Sequence, residues 1–278
     1  MSVSPREETH RLHGANESTV LCTATSLAGQ LRGLGVEPGD VLVVHSSMRS
    51  LGYVVGGAQA VIDALLDVIG PTGTLTMPSH SGDWSDPARW VNPPVPESWW
   101  PVIAAECPPY DPYATPLYQM GVIPQALLAR RQTVRSAHPS VSHMALGPQA
   151  SVICGSHPLD HGFGETSPLA RLYELDAKVL LLGVGHDSNT SLHLAEHRAA
   201  WPSKQTITQH SAVLVDGDRR WVEYTELDGD TDDFVALGAE FESTGRGHTG
   251  SVGAATARLM RQRELVDFAT DWFGRNRQ

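Results

Sequence analysis

Two short runs constrain this chain more than anything else in it: VLVV over 41–44 and KVLLLG over 178–183. Each is almost wholly apolar, without alternation, and each is followed by polar residues. Such runs suit strands covered on both faces, and helices packed on a sheet provide that cover. The surrounding stretches agree. Leu21, Leu27, Leu31 and Leu34 fall near 3.6-residue spacing, which predicts a helix over 19–34 closed by Gly35 and Pro38-Gly39. Val61, Ile62, Leu65 and Leu66 mark a second helix over 57–69, and Pro71-Thr72-Gly73 turns into a second strand over 74–77. Helical patterns return over 120–131 and 190–200, a strand-and-loop segment over 135–147, and one or two amphipathic helices over 252–273. Strands alternating with helices define an α/β chain, with a central, mostly buried sheet flanked by helices.

Composition bounds what that fold can do. The 278 residues carry 20 Lys+Arg against 31 Asp+Glu, a formal net charge of −11. That acidity argues against binding a phosphate backbone as the main task and favours a cationic small molecule or partner. No apolar stretch reaches the roughly 18 residues of a membrane helix, and the first 18 residues contain no apolar run of the signal-peptide kind. Cys22, Cys107 and Cys154 are odd in number and widely spaced, which fits a reducing compartment rather than a disulfide scaffold or thiolate zinc cluster. The expected organisation is a polar tail over 1–18 and a single domain over 19–278. That domain carries a Pro/Trp-rich excursion over 78–116 and an acidic lobe over 216–242, where ten acids face only Arg219 and Arg220.

Three segments can carry chemistry. HSSMRSLG over 45–52 leaves a buried strand and leads through Gly56-Gly57 into a helix. Hydroxyls, backbone N–H groups and Arg49 there suit a phosphate or pyrophosphate, although no P-loop or GxGxxG is present. GVGHDSNTSLHLAEH over 183–197 places His186 and Asp187 just beyond a strand and His193, Glu196 and His197 on one helix, where residues three and four apart share a face. A histidine oriented by a carboxylate is a general-base unit. The same stretch reads H-x-x-E-H, the inverted zinc-protease pattern, in which His193 and His197 would hold zinc and Glu196 would activate water. RSAHPSVSHMALG over 135–147 contains His138, held extended before Pro139. No G-x-S-x-G elbow is present.

At these residues the sequence resembles the aminoglycoside 3-N-acetyltransferases. The resemblance runs in order through HSSMRSLGYVVGG, GTLTMPS, YDPYATPLYQMGVIP, RSAHPSVSHMALGPQA, the long segment 164–196 and GSVGAATARLMRQRELVDFATDWF, over about residues 20–273. It implies a family-specific α/β fold, the antibiotic N-acetyltransferase type, distinct from the more common acetyltransferase fold. It implies acetyl transfer from acetyl-CoA, with no metal, to the 3-amino group of a 2-deoxystreptamine aminoglycoside. His193 is then the expected base, with Glu196 or Asp187 orienting it. His45, Ser46, Ser47, Arg49, Ser50, Leu51, Gly52, Val55 and Gly56, together with Ser136 and His138, are expected on the CoA side, with backbone N–H groups near Ser46-Ser47 holding the oxyanion. Asp83 and Trp84 of the excursion and Glu223, Asp230, Asp232 and Asp233 of the acidic lobe are expected against the polycationic antibiotic. A cytoplasmic monomer or homodimer, binding neither nucleic acid nor membrane, completes the expectation. Two alternatives stay open: acetyl transfer to a non-antibiotic amine, and a zinc hydrolase using His193, Glu196 and His197.

Overall fold

In a computed structural model describing residues 19–91 and 93–278, the two apolar runs are neighbouring parallel strands at the centre of one sheet. The expected polar tail over 1–18 lies outside the described residues. In chain order the elements are β1 (Leu21–Cys22), α1 (Ala24–Leu34), β2 (Val41–Ser46), β3 (Tyr53–Val54), α2 (Gly57–Ile69), β4 (Thr74–Pro78), α3 (Trp100–Glu106), α4 (Val122–Leu128), β5 (Val134–Arg135), β6 (His143–Leu146), α5 (Ala150–Cys154), α6 (Pro168–Glu174), β7 (Lys178–Leu182), α7 (Ser191–Arg198), β8 (Thr206–Val215), β9 (Asp218–Leu227), α8 (Phe234–Ser243), β10 (His248–Val252), β11 (Ala255–Arg261) and α9 (Gln262–Asn276). The main sheet has the order β10-β11-β7-β2-β4-β6-β5. Its three central strands are parallel, and antiparallel strands flank them.

Side chains on a strand alternate between faces. Leu42, Val44, Leu180 and Leu182 therefore meet α1, α2 and α4 in one core, while Val43, Val179 and Leu181 meet α5 through α9 in the other. The helices on both faces explain why the central strands show no polar alternation. Burying each such side chain stabilises by about 1.5–3 kcal/mol.

That layering positions a site. After β2 the chain crosses to α2 on the first face, and after β7 it crosses to α7 on the second. The loops leaving β2 and β7 thus diverge at adjacent strand ends, where open α/β sheets bind ligands. The two loops are tied together: the Ser47 N–H donates to Leu182 O at 3.0 Å and Ser50 Oγ donates to Gly183 O at 3.0 Å. Gly183 has φ +73°, and a Cβ there would lie 2.5 Å from Ser50 Cβ, so only glycine fits the junction.

Several elements differ from their sequence readings. The first helix starts at Ala24, not 19, because Thr23 and Ser26 form a reciprocal capping box. Leu21 and Cys22 pair with Tyr53 and Val54 instead. The segment 252–273 is not helical throughout. Ala255–Arg261 is a strand with Ala255, Ala257 and Leu259 inward, and the helix begins at Gln262. Leu259, Leu265, Val266 and Phe268 suit helical spacing, but the period-2 run before them prevails once β7 offers an edge. The residues of the acidic segment divide among the β8–β9 turn, β9, the turn before α8, and α8 itself. The Pro/Trp-rich excursion is ordered by the β8–β9 hairpin. The Tyr110 N–H donates to Ala212 O at 2.8 Å, Arg219 Nε donates to Cys107 O at 2.8 Å, and His210 Nδ1 lies 2.8 Å from Asp86 Oδ2.

Leu181 is fully buried on β7 against the second layer of helices. Leu181→Ala should destabilise the protein by about 2–5 kcal/mol in urea unfolding; a loss below about 1 kcal/mol would contradict the two-faced core.

Candidate active site

Helix α7 carries the clearest chemical unit. Its spacing sets His193 and Glu196 on one face, and His193 Nδ1 lies 2.5 Å from Glu196 Oε2. A carboxylate can only accept, so Nδ1 carries a proton, and in the neutral ring the lone pair is then on Nε2. The ring is held flat: Phe163 stacks on it at 4.6 Å with planes 13° apart, and Phe234 tilts against it at 5.1 Å. Such contacts contribute about 0.5–1.5 kcal/mol each and restrict the ring to one rotamer. The His193 side chain keeps 19% of its surface exposed, whereas that of Glu196 keeps 0%.

A carboxylate so buried needs partners. The second oxygen of Glu196 accepts from Arg277 Nη1 at 2.5 Å, and the same guanidinium grips Asp233 through two bonds of 2.7 Å. Burial opposes the Arg277 charge, but the hydrogen bonds it donates to Asp233 and Glu196 outweigh it and hold the group above its ordinary range. Gly229 passes so close to Glu196 that a Cβ would sit 3.0 Å from its carboxylate. Lys204 donates to the carbonyls of Glu196, His197 and Ala199 at the end of the helix, where a cation is favoured.

Beside this unit lies a cavity of about 240 Å³ lined by residues that include His80, Gly82, Ser85, Gln209, Tyr224 and Glu226. His80 packs on Phe163 at 5.6 Å, so the cavity wall continues into the His193 stack. His80 Nε2 and Gln209 Oε1 are buried without a partner. The cavity therefore offers both polar and apolar contacts to a ligand next to His193.

The other expected residues fall into distinct places. His45 and Ser46 end β2 with His45 Nε2 and Ser46 Oγ buried and unpartnered. Ser47, Arg49, Ser50 and Gly52 form the turn that follows, and Gly56 caps α2 with φ 86°. Val55 is exposed. Leu51 is a core side chain whose carbonyl accepts from the Ala254 N–H. The Ser47 N–H is taken by Leu182 O, so it does not remain for an oxyanion. Ser136 and His138 are wholly buried: Ser136 Oγ meets His157 Nδ1 at 2.9 Å, and His138 Nδ1 accepts from the Val141 N–H while Nε2 faces Leu159 O. These two residues build the wall behind the site. Asp83 lies in the turn at the cavity, its Oδ1 unpartnered and its pKa raised by burial. Trp84 Nε1 donates to Pro108 O. Glu223 and Asp232 are exposed, whereas Asp230 and Asp233 already face Arg277.

The carboxylate on His193 is Glu196, and Asp187 is an exposed residue of the turn over His186–Ser188. His186 is turned away onto Glu242 at 3.0 Å, packed so tightly on α8 that a Cβ at Gly238 would collide with its ring. His197 pairs with Glu226 at 3.3 Å. Of the three fixed positions of H-x-x-E-H, His193 and Glu196 thus pair with each other while His197 pairs with Glu226, and among the described residues no group of three or more His, Cys, Asp or Glu is placed to hold a metal. No helix among them is long and apolar enough to cross a membrane.

Residues 43–274 match the family model described as aminoglycoside 3-N-acetyltransferase. The chain belongs to this family. The SPbeta prophage-derived aminoglycoside N(3')-acetyltransferase-like protein YokD of Bacillus subtilis (strain 168) is 43% identical over 255 residues, covering 91% of this chain and 93% of that protein. The crystal structure of YokD superposes with a TM-score of 0.90, at 42% identity, over 93% of this chain and 95% of that one. AAC-IIIb, solved as a binary complex with CoASH, gives 0.82 at 33% identity over 91% and 96%. AAC-VIa bound to sisomicin gives 0.82 at 30% identity over 90% and 97%. The expected fold is therefore found, an antibiotic N-acetyltransferase fold with a mixed central sheet.

Sequence reasoning missed Phe163, His80, Glu226 and Arg277. The stacking ring and the arginine lie 30 and 84 positions from the base they serve, and no spacing rule spans such separations. A cluster of buried imidazoles also went unseen. Burial pushes the pKa of His45 down to about 3, His80 to about 3, His138 to about 4 and His157 to about 2, and lowers His143 well below the ordinary value. These rings are neutral in the folded chain but titrate near 6.5 once exposed. Below that pH the unfolded chain binds more protons, so stability is full above about 6.5 and is lost as pH falls toward the folded values. The melting temperature should fall between pH 7 and pH 5, with unfolding at pH 5 taking up at least about two protons. A flat profile over that window would contradict the buried neutral cluster.

Proposed function

We propose that this protein transfers the acetyl group of acetyl-CoA to the 3-amino group of a 2-deoxystreptamine aminoglycoside, in the cytoplasm where acetyl-CoA is available. The observation that carries the reading is the His193–Glu196 pair beside a cavity between the β8–β9 hairpin and the segments that follow β4 and precede β6. Family membership supports the acetyl donor and the acceptor class, and related structures hold CoASH or sisomicin.

The chemistry follows from the tautomer. The amine must reach the thioester carbonyl as a free base, and His193 Nε2 has the lone pair to take its proton. Glu196 orients the ring and stabilises the imidazolium that forms. The amine nitrogen bonds to the carbonyl carbon, the carbon–sulfur bond breaks, and the departing CoA thiolate takes the proton back from His193. No acetyl-enzyme is needed. Positioning both substrates at one end of the sheet supplies much of the acceleration. Gly56 and Gly57, both at positive φ, open the 13-residue α2 toward the β2 loop. The free N–H groups of that helix end suit the CoA pyrophosphate, with Arg49, Ser50 and Val55 alongside. Asp83, next to the cavity-lining Gly82, and the exposed Asp232 and Glu223 suit a polycation.

Thiol release from acetyl-CoA with a panel of these antibiotics, followed by mapping of the acetylated position, tests the reading; absence of release with every member would overturn the acceptor. His193→Ala should lower kcat by at least about 100-fold, and near-wild-type turnover would remove His193 from the mechanism. D83N, E223Q and D232N combined should raise the KM for the antibiotic several-fold and flatten its rise with salt. An unchanged KM and salt dependence would return these acids to the solvated surface.

A further inference from the structure

Arg277 lies just past α9, 81 residues from Glu196 in sequence, and belongs to none of the motifs that mark the site. Its side chain is only 11% exposed. The guanidinium is held from every side: Glu196 Oε1 at 2.5 Å, both oxygens of Asp233 at 2.7 Å, and Asp230 O at 3.2 Å. Its flat faces are covered by Phe273 at 4.1 Å and Trp201 at 5.0 Å. An arginine so placed bridges two carboxylates in fixed geometry, which an ammonium cannot reproduce.

Glu196 has two oxygens and two donors. One oxygen meets His193 Nδ1 and the other meets Arg277 Nη1. A fully buried carboxylate stays ionised only with a compensating charge. Without Arg277 the cation left in contact with that carboxylate, among the described residues, would be His193, since Lys204 acts on it only from the backbone carbonyl it binds, and an imidazolium cannot accept a proton from an amine. We propose that Arg277 is the permanent counter-ion of Glu196, a positioning residue that keeps the carboxylate ionised and aimed while His193 remains a neutral base. This deepens the proposed function and rests on its assignment of His193 as the base.

The surroundings of His193 support the division of roles. His45, near the end of β2, and His80, just past β4, are kept neutral by burial and by the charge His193 would carry, so neither can compensate Glu196. Phe163 and Phe234 contribute only ring surface. Lys204 bonds the backbone carbonyl of Glu196 rather than its carboxylate. Asp233 and Asp230 face Arg277, not the imidazole. Among the described contacts, Arg277 is the cation on the Glu196 carboxylate besides His193 itself. It also ties the turn before α8 to the base through one side chain.

The test is the pH dependence of kcat and kcat/KM at saturating acetyl-CoA for R277Q and R277K, beside H193A, E196Q and the E196Q/R277Q pair. In R277Q the acid limb should move up by about one pH unit or more, because His193 becomes the sole counter-ion of Glu196. At pH 7 kcat should fall by about tenfold while KM for acetyl-CoA stays within about twofold. R277K should move the limb the same way by a smaller amount. In the double variant, R277Q should add no loss to that of E196Q, since both act through one carboxylate. An acid limb at its wild-type position in folded R277Q, or single losses that multiply in the double variant, overturns the proposal. If R277Q does not fold, R277K decides, and a wild-type limb there overturns it. Wild-type turnover in H193A would instead locate the failure in the assignment of the base.

Discussion

A single buried carboxylate organises this protein's candidate active site. Glu196 has no exposed side-chain surface, yet it accepts from His193 on one oxygen and from Arg277 on the other. Ionised carboxylates are tolerated in such places only when every lone pair has a donor. The need to satisfy Glu196 explains several features at once. Gly229 lets the backbone come close, Asp233 holds the far side of Arg277, and α7 packs against α9 within the second core. The ring of His193 inherits its orientation from these contacts and from the Phe163 stack.

The sheet supplies the location. Three parallel strands, β7, β2 and β4, end at the same side, and the chain leaves β2 and β7 toward opposite faces. The resulting crevice receives the HSS loop and the N-terminus of α2 from one direction and α7 from the other. Hydrophobic burial on both faces makes the strand ends rigid, and the base therefore stands on a regular helix rather than a long loop. The β8–β9 hairpin and the Pro/Trp-rich excursion brace each other and close a cavity beside it.

The elements with strong local signals were legible in the sequence. The helix over Gly57–Ile69 has the bounds its periodicity indicates, and the apolar runs at 41–44 and 178–182 are central strands. Ala255–Arg261 was not legible, because its strand character depends on pairing with β7, more than seventy residues away. In the site, the i, i+3 geometry of His193 and Glu196 follows directly from helix pitch. The family resemblance already favours His193 over His186, which α8 draws onto Glu242, whereas the choice of Glu196 over Asp187 required tertiary contacts, Asp187 being exposed. Ser136 and His138 illustrate the converse. Their motif is recognisable, but their burial and their bonds to His157, Leu159 and Val141 follow from tertiary contacts.

The state of the His193 ring tests the central claim most directly. Histidine ¹⁵N chemical shifts, assigned to His193 by comparison with His193→Ala, report which ring nitrogen carries the proton. At pH 7.5 the expected result is a neutral ring with the proton on Nδ1, toward Glu196, and a bare Nε2. A proton on Nε2 alone, or a charged ring at that pH, would contradict a general base held by a carboxylate that already has its own counter-ion.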